Sequence, residues 1–270
     1  MLDMEQHYDI AVIDEAQMIA DRDRGHSWTR AILGVKADEI HICMSPAAEE
    51  VVTHLIALCE DTFEVRHYER KTALICEQEA FVFPDDVTEG DALITFTKRA
   101  VLDIAGRLER EGIRASVIYG SLPPEIRRRQ IRLFLSHETK VVVSTDAIGM
   151  GLNLPVRRIV FIQTEKYDGI STRPLTIPEI RQIAGRAGRF GMYDTGYVNA
   201  MGEDARNYIA KRFDQPEPVI KKVSLGFPHV LLDMDEPLNA ILKIWKSVEP
   251  SAPFEKISID EILFLYDKAY

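Results

Sequence analysis

Lys140-Val-Val-Val-Ser-Thr-Asp-Ala-Ile-Gly-Met-Gly-Leu-Asn153 sets the fold class. Three valines in a row have no polar face, so Lys140–Ser144 reads as a strand buried on both sides. Hydroxyls, a carboxylate and two glycines follow at once. In open α/β sheets, ligands bind beyond the carboxyl ends of strands. Glycine lets a backbone approach a ligand closely, and Ser and Thr hydroxyls are common phosphate contacts. The bland alternative is a glycine-rich connection.

The same rhythm extends in both directions. Ala92–Phe96, Ala115–Tyr119, Arg158–Gln163 and Gly196–Met201 read as strands. Helices are predicted over Lys98–Glu111, stopped by Gly112, over Pro123–Leu135, and from Pro178 to Arg186. Strands alternating with helices predict an α/β fold, a parallel sheet with helices on both faces. Upstream, Tyr8–Ile13, Glu39–Met44 and Phe63–Tyr68 read as strands, with helices over 26–33 and from Pro46 to Glu60. Beyond Glu203 the pattern becomes helical and broken by prolines. These shifts predict a first domain over 1–72, a linker over 73–90, a second domain over 91–202 and a mainly helical segment over 203–270.

The chain has 270 residues, enough for roughly two domains. With 46% hydrophobic and 28% charged residues it has the composition of a folded globular protein. No apolar run approaches the ~20 residues of a membrane span, so no membrane partner is expected. The cysteines Cys43, Cys59 and Cys76 are odd in number and scattered, which argues against a disulfide framework or a zinc site. The first residues lack the apolar core of a signal peptide. The net charge is −10, yet Lys98–Arg132 holds nine basic residues against four acidic ones, a local +5. An acidic chain does not coat nucleic acid, but a basic stretch can line a groove for it; a solvated helix face is the plainer reading.

Three further segments sit at predicted strand ends. Asp14-Glu15-Ala16-Gln17 follows the first strand; one carboxylate there can hold Mg²⁺ on nucleotide phosphates and a second can orient water. A strand-end turn or helix cap is the other reading. Gln182-Ile-Ala-Gly-Arg-Ala-Gly-Arg189 puts two arginines three apart, on one face of the expected helix. Arginine suits bidentate phosphate recognition and can stabilise charge on a γ-phosphate. Ala92–Arg99 ends in hydroxyls and base, suited to a nucleic-acid backbone.

The ordered set of these segments, with Tyr119-Gly-Ser-Leu-Pro-Pro124 and Ser171-Thr-Arg-Pro-Leu-Thr-Ile-Pro-Glu-Ile-Arg-Gln182, resembles the superfamily-two helicases of the DExH/D type. It is most similar to the mitochondrial degradosome RNA helicases of the suppressor-of-Var type and their bacterial relatives, over about residues 8–200. The resemblance implies part of a first RecA-like domain and a complete second one, with ATP and Mg²⁺ as cofactors and ATP bound between the domains. It implies unwinding of, or movement along, single-stranded RNA or DNA, with RNA favoured, and an exoribonuclease partner.

Residue by residue, it implies Asp14 as the Mg²⁺ ligand and Glu15 as the general base. Gln17 would join that motif to the second domain, and Ser45–Ala48 would couple hydrolysis to strand separation. Asp146 and Gly149 would lie on the nucleotide side, Gln182 beside the nucleotide, and Arg186 and Arg189 would be arginine fingers. Thr97, Lys98, Gly120, Ser144 and Thr145 would meet the nucleic-acid backbone. The phosphate-binding Gly-x-x-x-x-Gly-Lys-Ser/Thr occurs nowhere in the chain. The reading is therefore of an N-terminally truncated helicase, inactive by itself, with a non-catalytic nucleic-acid-binding or docking module as the alternative. The first 70 residues are expected to expose apolar surface or to be held by the second domain. The expected location is cytoplasmic and bacterial in type, or mitochondrial if a segment precedes Met1.

Overall fold

In the computed structural model, residues 4–149 and 154–269 are described. The chain divides into two units, one made of Met1–Arg66 with Pro218–Tyr270 and the other of His67–Glu217.

The first unit opens with β1 (His7–Ile13), α1 (Gly25–Gly34), β2 (Lys36–Ile42) and α2 (Glu49–Leu58). β1 and β2 pair in parallel, from His7 opposite Lys36 to Ile13 opposite Ile42. α2 places Glu49 and Glu50 in its first turn, where carboxylates favour the positive end of the helix dipole. It buries Val51, Val52 and Leu55 on one stripe, against Ile13, Ile19 and Ile32. The strand expected over Phe63–Tyr68 does not form. No ladder partner meets it, Glu64 pairs with Arg66 at 2.9 Å, and Tyr68 lies 86% exposed.

The second unit contains β3 (Ala73–Cys76), β4 (Asp91–Ile94), α3 (Lys98–Arg110), β5 (Ala115–Ile118), α4 (Pro124–Leu135), β6 (Val141–Ser144), β7 (Arg158–Phe161), β8 (Glu165–Tyr167), β9 (Thr172–Pro174), α5 (Ile177–Ala184), β10 (Thr195–Ala200) and α6 (Glu203–Phe213). Six strands form one sheet in the order β3-β10-β7-β4-β6-β5, all parallel. Successive side chains alternate between its faces. Ile94, Val142, Ile159 and Phe161 pack with Phe134, Ile180, Ile183 and Ile209 on one face. Leu93, Val141, Val143 and Val160 pack with Val101, Ile104 and Leu108 of α3 on the other. Burial on both faces is why these strands read as continuous apolar runs. β8 and β9 form a separate antiparallel hairpin.

The stretch expected as a linker, 73–90, is part of this unit. β3 is an edge strand of the sheet, and Phe81 beyond it is buried. Arg158 ties the segment down. Its guanidinium donates to both oxygens of the fully buried Asp91, at 2.9 and 2.7 Å, to Glu77 at 3.2 Å and to the Asp86 carbonyl at 2.7 Å. Asn199 in β10 also donates to Glu77, at 2.7 Å. The unit likewise runs past the expected end at 202, because α6 buries Ile209 in the core and Tyr208 donates to the Leu175 carbonyl at 2.8 Å.

The remaining chain returns to the first unit with β11 (Val223–Leu225), α7 (Leu238–Ser247), β12 (Phe254–Lys256) and α8 (Asp260–Ala269). It is mainly helical, as expected, with β11 and β12 in a two-stranded parallel ladder. Val223 enters the core of β1 and α2, and Thr29 donates to the Ser224 carbonyl at 2.6 Å. The cover over the first 66 residues thus includes the C-terminal segment of the same unit. Ile10 and Val12 of β1 remain exposed, as expected of that region. Among the described residues no helix is long and apolar enough to cross a membrane.

Removing one partner of a buried ion pair strands the other without solvent, at about 3–5 kcal/mol. Arg158→Met is expected to lower unfolding free energy in urea by that amount, against well under 1 kcal/mol for a surface change such as Arg128→Met.

Candidate active site

In the first unit, β1 delivers Asp14 and Glu15 at its carboxyl end. Asp14 is exposed; its carboxylate accepts the Glu15 N–H at 2.9 Å, and its carbonyl accepts the Trp28 indole N–H at 2.9 Å. Glu15 sits in the left-handed region, φ 55° and ψ 42°. For a residue with a Cβ that conformation is strained and must be held by its surroundings. Gln17 supplies part of that hold. Its amide N–H donates to the Glu15 carboxylate, and its amide oxygen accepts the Ser45 N–H at 3.1 Å. Within its own unit Gln17 thus joins Glu15 to the Ser45–Ala48 segment. The Ser45 hydroxyl is buried with no hydrogen-bond partner among the described residues.

In the second unit, the strand ends converge as expected. Thr95 N–H donates to the Ser144 carbonyl at 3.0 Å and Thr145 N–H to Ile118 at 3.1 Å, so β4, β6 and β5 end side by side. Thr97 caps α3, accepting Ala100 N–H at 3.1 Å, and the Lys98 ammonium lies 5.4 Å from the Tyr119 ring centre. Gly120 presents its carbonyl to Arg127 at 2.9 Å. The Ser144 hydroxyl is buried and donates to the Thr145 carbonyl at 2.9 Å, and the Thr145 hydroxyl accepts Ala147 N–H at 3.3 Å. Both hydroxyls therefore hold the turn. Met150–Asn153, the end of the glycine-containing motif, lies outside the described residues.

Asp146 joins an ion network. Lys166 on β8 donates to Asp146 at 3.1 Å and to Glu179 at 2.8 Å. Burial alone would lower the Lys166 pKa, but these two carboxylates raise it. Glu179 also takes both prongs of Arg173, at 2.9 and 3.0 Å, and closes a capping box with Thr176 at the start of α5. Burial pushes its carboxyl up, yet hydrogen bonds from Arg173, Lys166 and the Thr176 N–H bring it down to about 2.

Arg186 and Arg189 were expected on one helical face. Instead α5 ends at Ala184, and both lie in the turn and loop beyond it. The helix stops because the chain must pass under β10. Gly188 has φ +67°, and a Cβ there would lie 2.5 Å from the Gly196 nitrogen. The Gly188 N–H donates to Val156 at 2.9 Å. The Arg186 guanidinium donates to the Gly149 carbonyl, which brings two expected nucleotide-side residues together. Gln182 packs against Gly149 as well; a Cβ on that glycine would lie 3.5 Å from the Gln182 side chain.

Sequence reasoning missed Arg70. Its guanidinium donates to the carbonyls of Thr72 and Gly185, each at 2.9 Å, and to those of Ala187 and Gly188. No carboxylate pairs with it through these bonds; burial lowers its pKa. Its two terminal nitrogens are directed at the loop that carries Arg186 and Arg189. Only its place three residues before a strand of alternating exposure could have hinted at this. Lys166, a lone lysine in sequence, gave no signal either.

Arg70→Ala leaves several buried carbonyls without donors. It is expected to lower stability by on the order of 2 kcal/mol and to speed amide exchange over 185–190, with Arg70→Lys recovering part. Glu179 has a folded pKa below its ordinary 4.5, so its contribution is present above that pH and is lost as pH falls toward about 2. Glu179→Gln should therefore destabilise the protein at pH 7, and the gap to the parent should close below pH 4.5 in urea unfolding.

Comparison with known proteins gives the chain's kinship. Residues 1–68 match the DEXQ-box helicase domain of Suv3, and residues 71–191 match the helicase conserved C-terminal domain. The rice mitochondrial ATP-dependent RNA helicase SUV3 is 40% identical over 84% of this chain and 40% of its own length. The Saccharomyces cerevisiae mitochondrial SUV3 is 35% identical over 82% of this chain and 31% of its length. The chicken mitochondrial helicase SUPV3L1 is 36% identical over 96% of this chain and 35% of its length. The chain thus spans 31–40% of these relatives. The solved structure of S. cerevisiae Dbp5 bound to RNA and ADP BeF3 shares the fold, with a TM-score of 0.53 at 17% identity over 96% of this chain and 63% of that one. The expectation of a cytoplasmic, bacterial-type protein is overturned, since these named relatives are mitochondrial. The matched segments, in the order in which they carry Asp14, Glu15, Gln182, Arg186 and Arg189, show that the chain belongs to the superfamily-two helicases of the Suv3 type.

Proposed function

We propose that this chain forms part of an ATP-dependent RNA helicase and supplies residues for both hydrolysis and strand binding. The observation that carries the reading is the end of β1, where an exposed Asp14 stands beside a strained Glu15 held by Gln17. Mg²⁺ takes one or two carboxylates and fills its shell with phosphate oxygens and water. Asp14 fits that need, while no group of three or more acidic, His or Cys ligands occurs among the described residues. ATP supplies the phosphoanhydride to be cleaved. Asp14 would hold the cation, Glu15 would orient and deprotonate water, and Arg186 and Arg189 would meet the developing phosphate charge.

The ends of β4, β5 and β6 would meet the RNA backbone through Thr97, Lys98, Gly120 and main-chain groups near Thr145. Ser144, which is fully buried, would act by holding that turn. Backbone contacts of this kind are indifferent to sequence and weaken with salt. RNA as the strand, an exoribonuclease partner and a mitochondrial setting follow from kinship with the SUV3 helicases.

The test joins this chain to a phosphate-binding Gly-x-x-x-x-Gly-Lys-Ser/Thr segment and measures ATP turnover with single-stranded RNA. Glu15→Gln is expected to lower turnover about 10²–10⁴-fold with nucleotide still bound, and Arg186→Ala by about 10³-fold or more. Turnover unchanged in both variants refutes the reading.

A further inference from the structure

Trp28 belongs to none of the sequence motifs, yet it touches the turn that carries Asp14 and Glu15. Its ring packs against the core of β1 and α2, and its indole N–H donates to the Asp14 carbonyl at 2.9 Å. That carbonyl belongs to the peptide joining Asp14 to Glu15, so the plane of this peptide is held from α1. The next residues are held as well. The Ala16 N–H donates to the Cys43 carbonyl at 2.9 Å, and the Met18 N–H to the Glu15 carbonyl at 2.9 Å. A left-handed residue with a Cβ persists only where its surroundings over-determine it. For Glu15 those surroundings are these bonds together with Gln17.

Trp28 can fix that peptide only if α1 is itself fixed. Gly25 opens α1 hard against the turn, where a Cβ would overlap the Ile19 carbonyl. The buried Thr29 hydroxyl donates to the Ser224 carbonyl at 2.6 Å, and the Ser224 hydroxyl donates to the Asp21 carbonyl at 2.9 Å. Four residues before Ser224, the Ile220 N–H donates to the Ala47 carbonyl at 2.8 Å. Residues 220–224 thus clasp both α1 and the Ser45–Ala48 segment, and Glu15 is bonded to one through Trp28 and to the other through Gln17. We propose that Trp28 is a positioning residue for Asp14 and Glu15, and that the returning segment 220–224 sets it through Thr29. The inference rests on the reading of Asp14 as the cation ligand and Glu15 as the base. It gives the end of the chain a part in the geometry of a turn some 200 residues earlier.

The experiment records proton–nitrogen NMR spectra of the 270-residue chain, whose two tryptophans give two indole signals. Amide exchange is read at Ala16 and Met18, with the fully buried Leu55 of α2 as the measure of unfolding of the whole unit. Mn²⁺, which suits carboxylates as Mg²⁺ does, probes the cation site through line broadening at Asp14–Gln17. Trp28→Phe keeps an aromatic ring against the core and removes the donor. It is expected to speed exchange at Ala16 and Met18 by about 10-fold, to leave Leu55 unchanged and to weaken Mn²⁺ binding by about 3-fold or more. Thr29→Val should shift the Trp28 indole signal and loosen the same two amides, and Thr29→Ser, which keeps the hydroxyl, should restore the parent behaviour. Ser224→Ala, at a half-buried position, gives a second and milder break of the same link. The proposal is overturned if Trp28→Phe leaves Ala16 and Met18 as in the parent, or if Leu55 speeds up by the same factor. It is also overturned if Thr29→Val and Ser224→Ala both leave the Trp28 indole signal in place, or if Thr29→Ser behaves as Thr29→Val. Asp14→Asn separates the two layers of the argument: Mn²⁺ broadening that survives it refutes the cation reading, while the exchange comparison stands on its own.

Discussion

The buried guanidinium of Arg158 is the constraint on which the second unit depends. A charge inside a parallel sheet is costly unless its donors are all met. Here one side chain from a central strand reaches the carboxylate that opens β4, the carboxylate that follows β3 and a carbonyl of the intervening loop. The edge strand, the loop and the middle of the sheet are therefore fastened at one point. The 73–90 stretch reads as a linker because Pro84 and its acids look solvated. Two of those acids in fact face Arg158, one by its side chain and one by its main chain.

The same device recurs around the loops proposed to face the nucleotide. Arg70 grips the turn after α5 through carbonyls, and Arg186 does so with Gly149. Lys166 and Arg173 on the small hairpin clamp Asp146 and Glu179, which belong to the turn after β6 and to the start of α5. Separate stretches of chain thus meet through cations, of which Arg70 and Lys166 lie outside every quoted motif. The local geometry expected of the motif residues comes largely from these neighbours. An Asp or a Gly at a strand end does not place itself.

Legibility follows from range. β4, β6 and β7 were readable because burial on both faces leaves three or four apolar residues in succession. Asp14 was singled out because it follows an apolar strand, and Gln182, Arg186 and Arg189 because they share one short segment; the first stands at the end of β1, the others in α5 and the loop beyond it. Phe63–Tyr68 misled because apolar alternation records a tendency to pair and says nothing of whether a partner strand is present. The arginines after α5 misled because helical spacing continues in the sequence past Ala184, while the backbone is turned by Gly188 and its packing on Gly196. Arg70, Lys166 and the return of 218–270 to the first unit depend on contacts more than a hundred residues apart or on lone side chains, and periodicity does not report those.

That return has a consequence for how the molecule is made. Val223 belongs to the same core as Ile13 and Val52, and Thr29 bonds to Ser224 across 195 positions. As a ribosome delivers the chain, residues 67–217 emerge complete and can close their sheet at once. The first 66 must wait, with β1 and β2 paired but their covering segment still unmade. The core that holds Ile13 and Val52 is therefore completed only after the whole of 67–217 has been made.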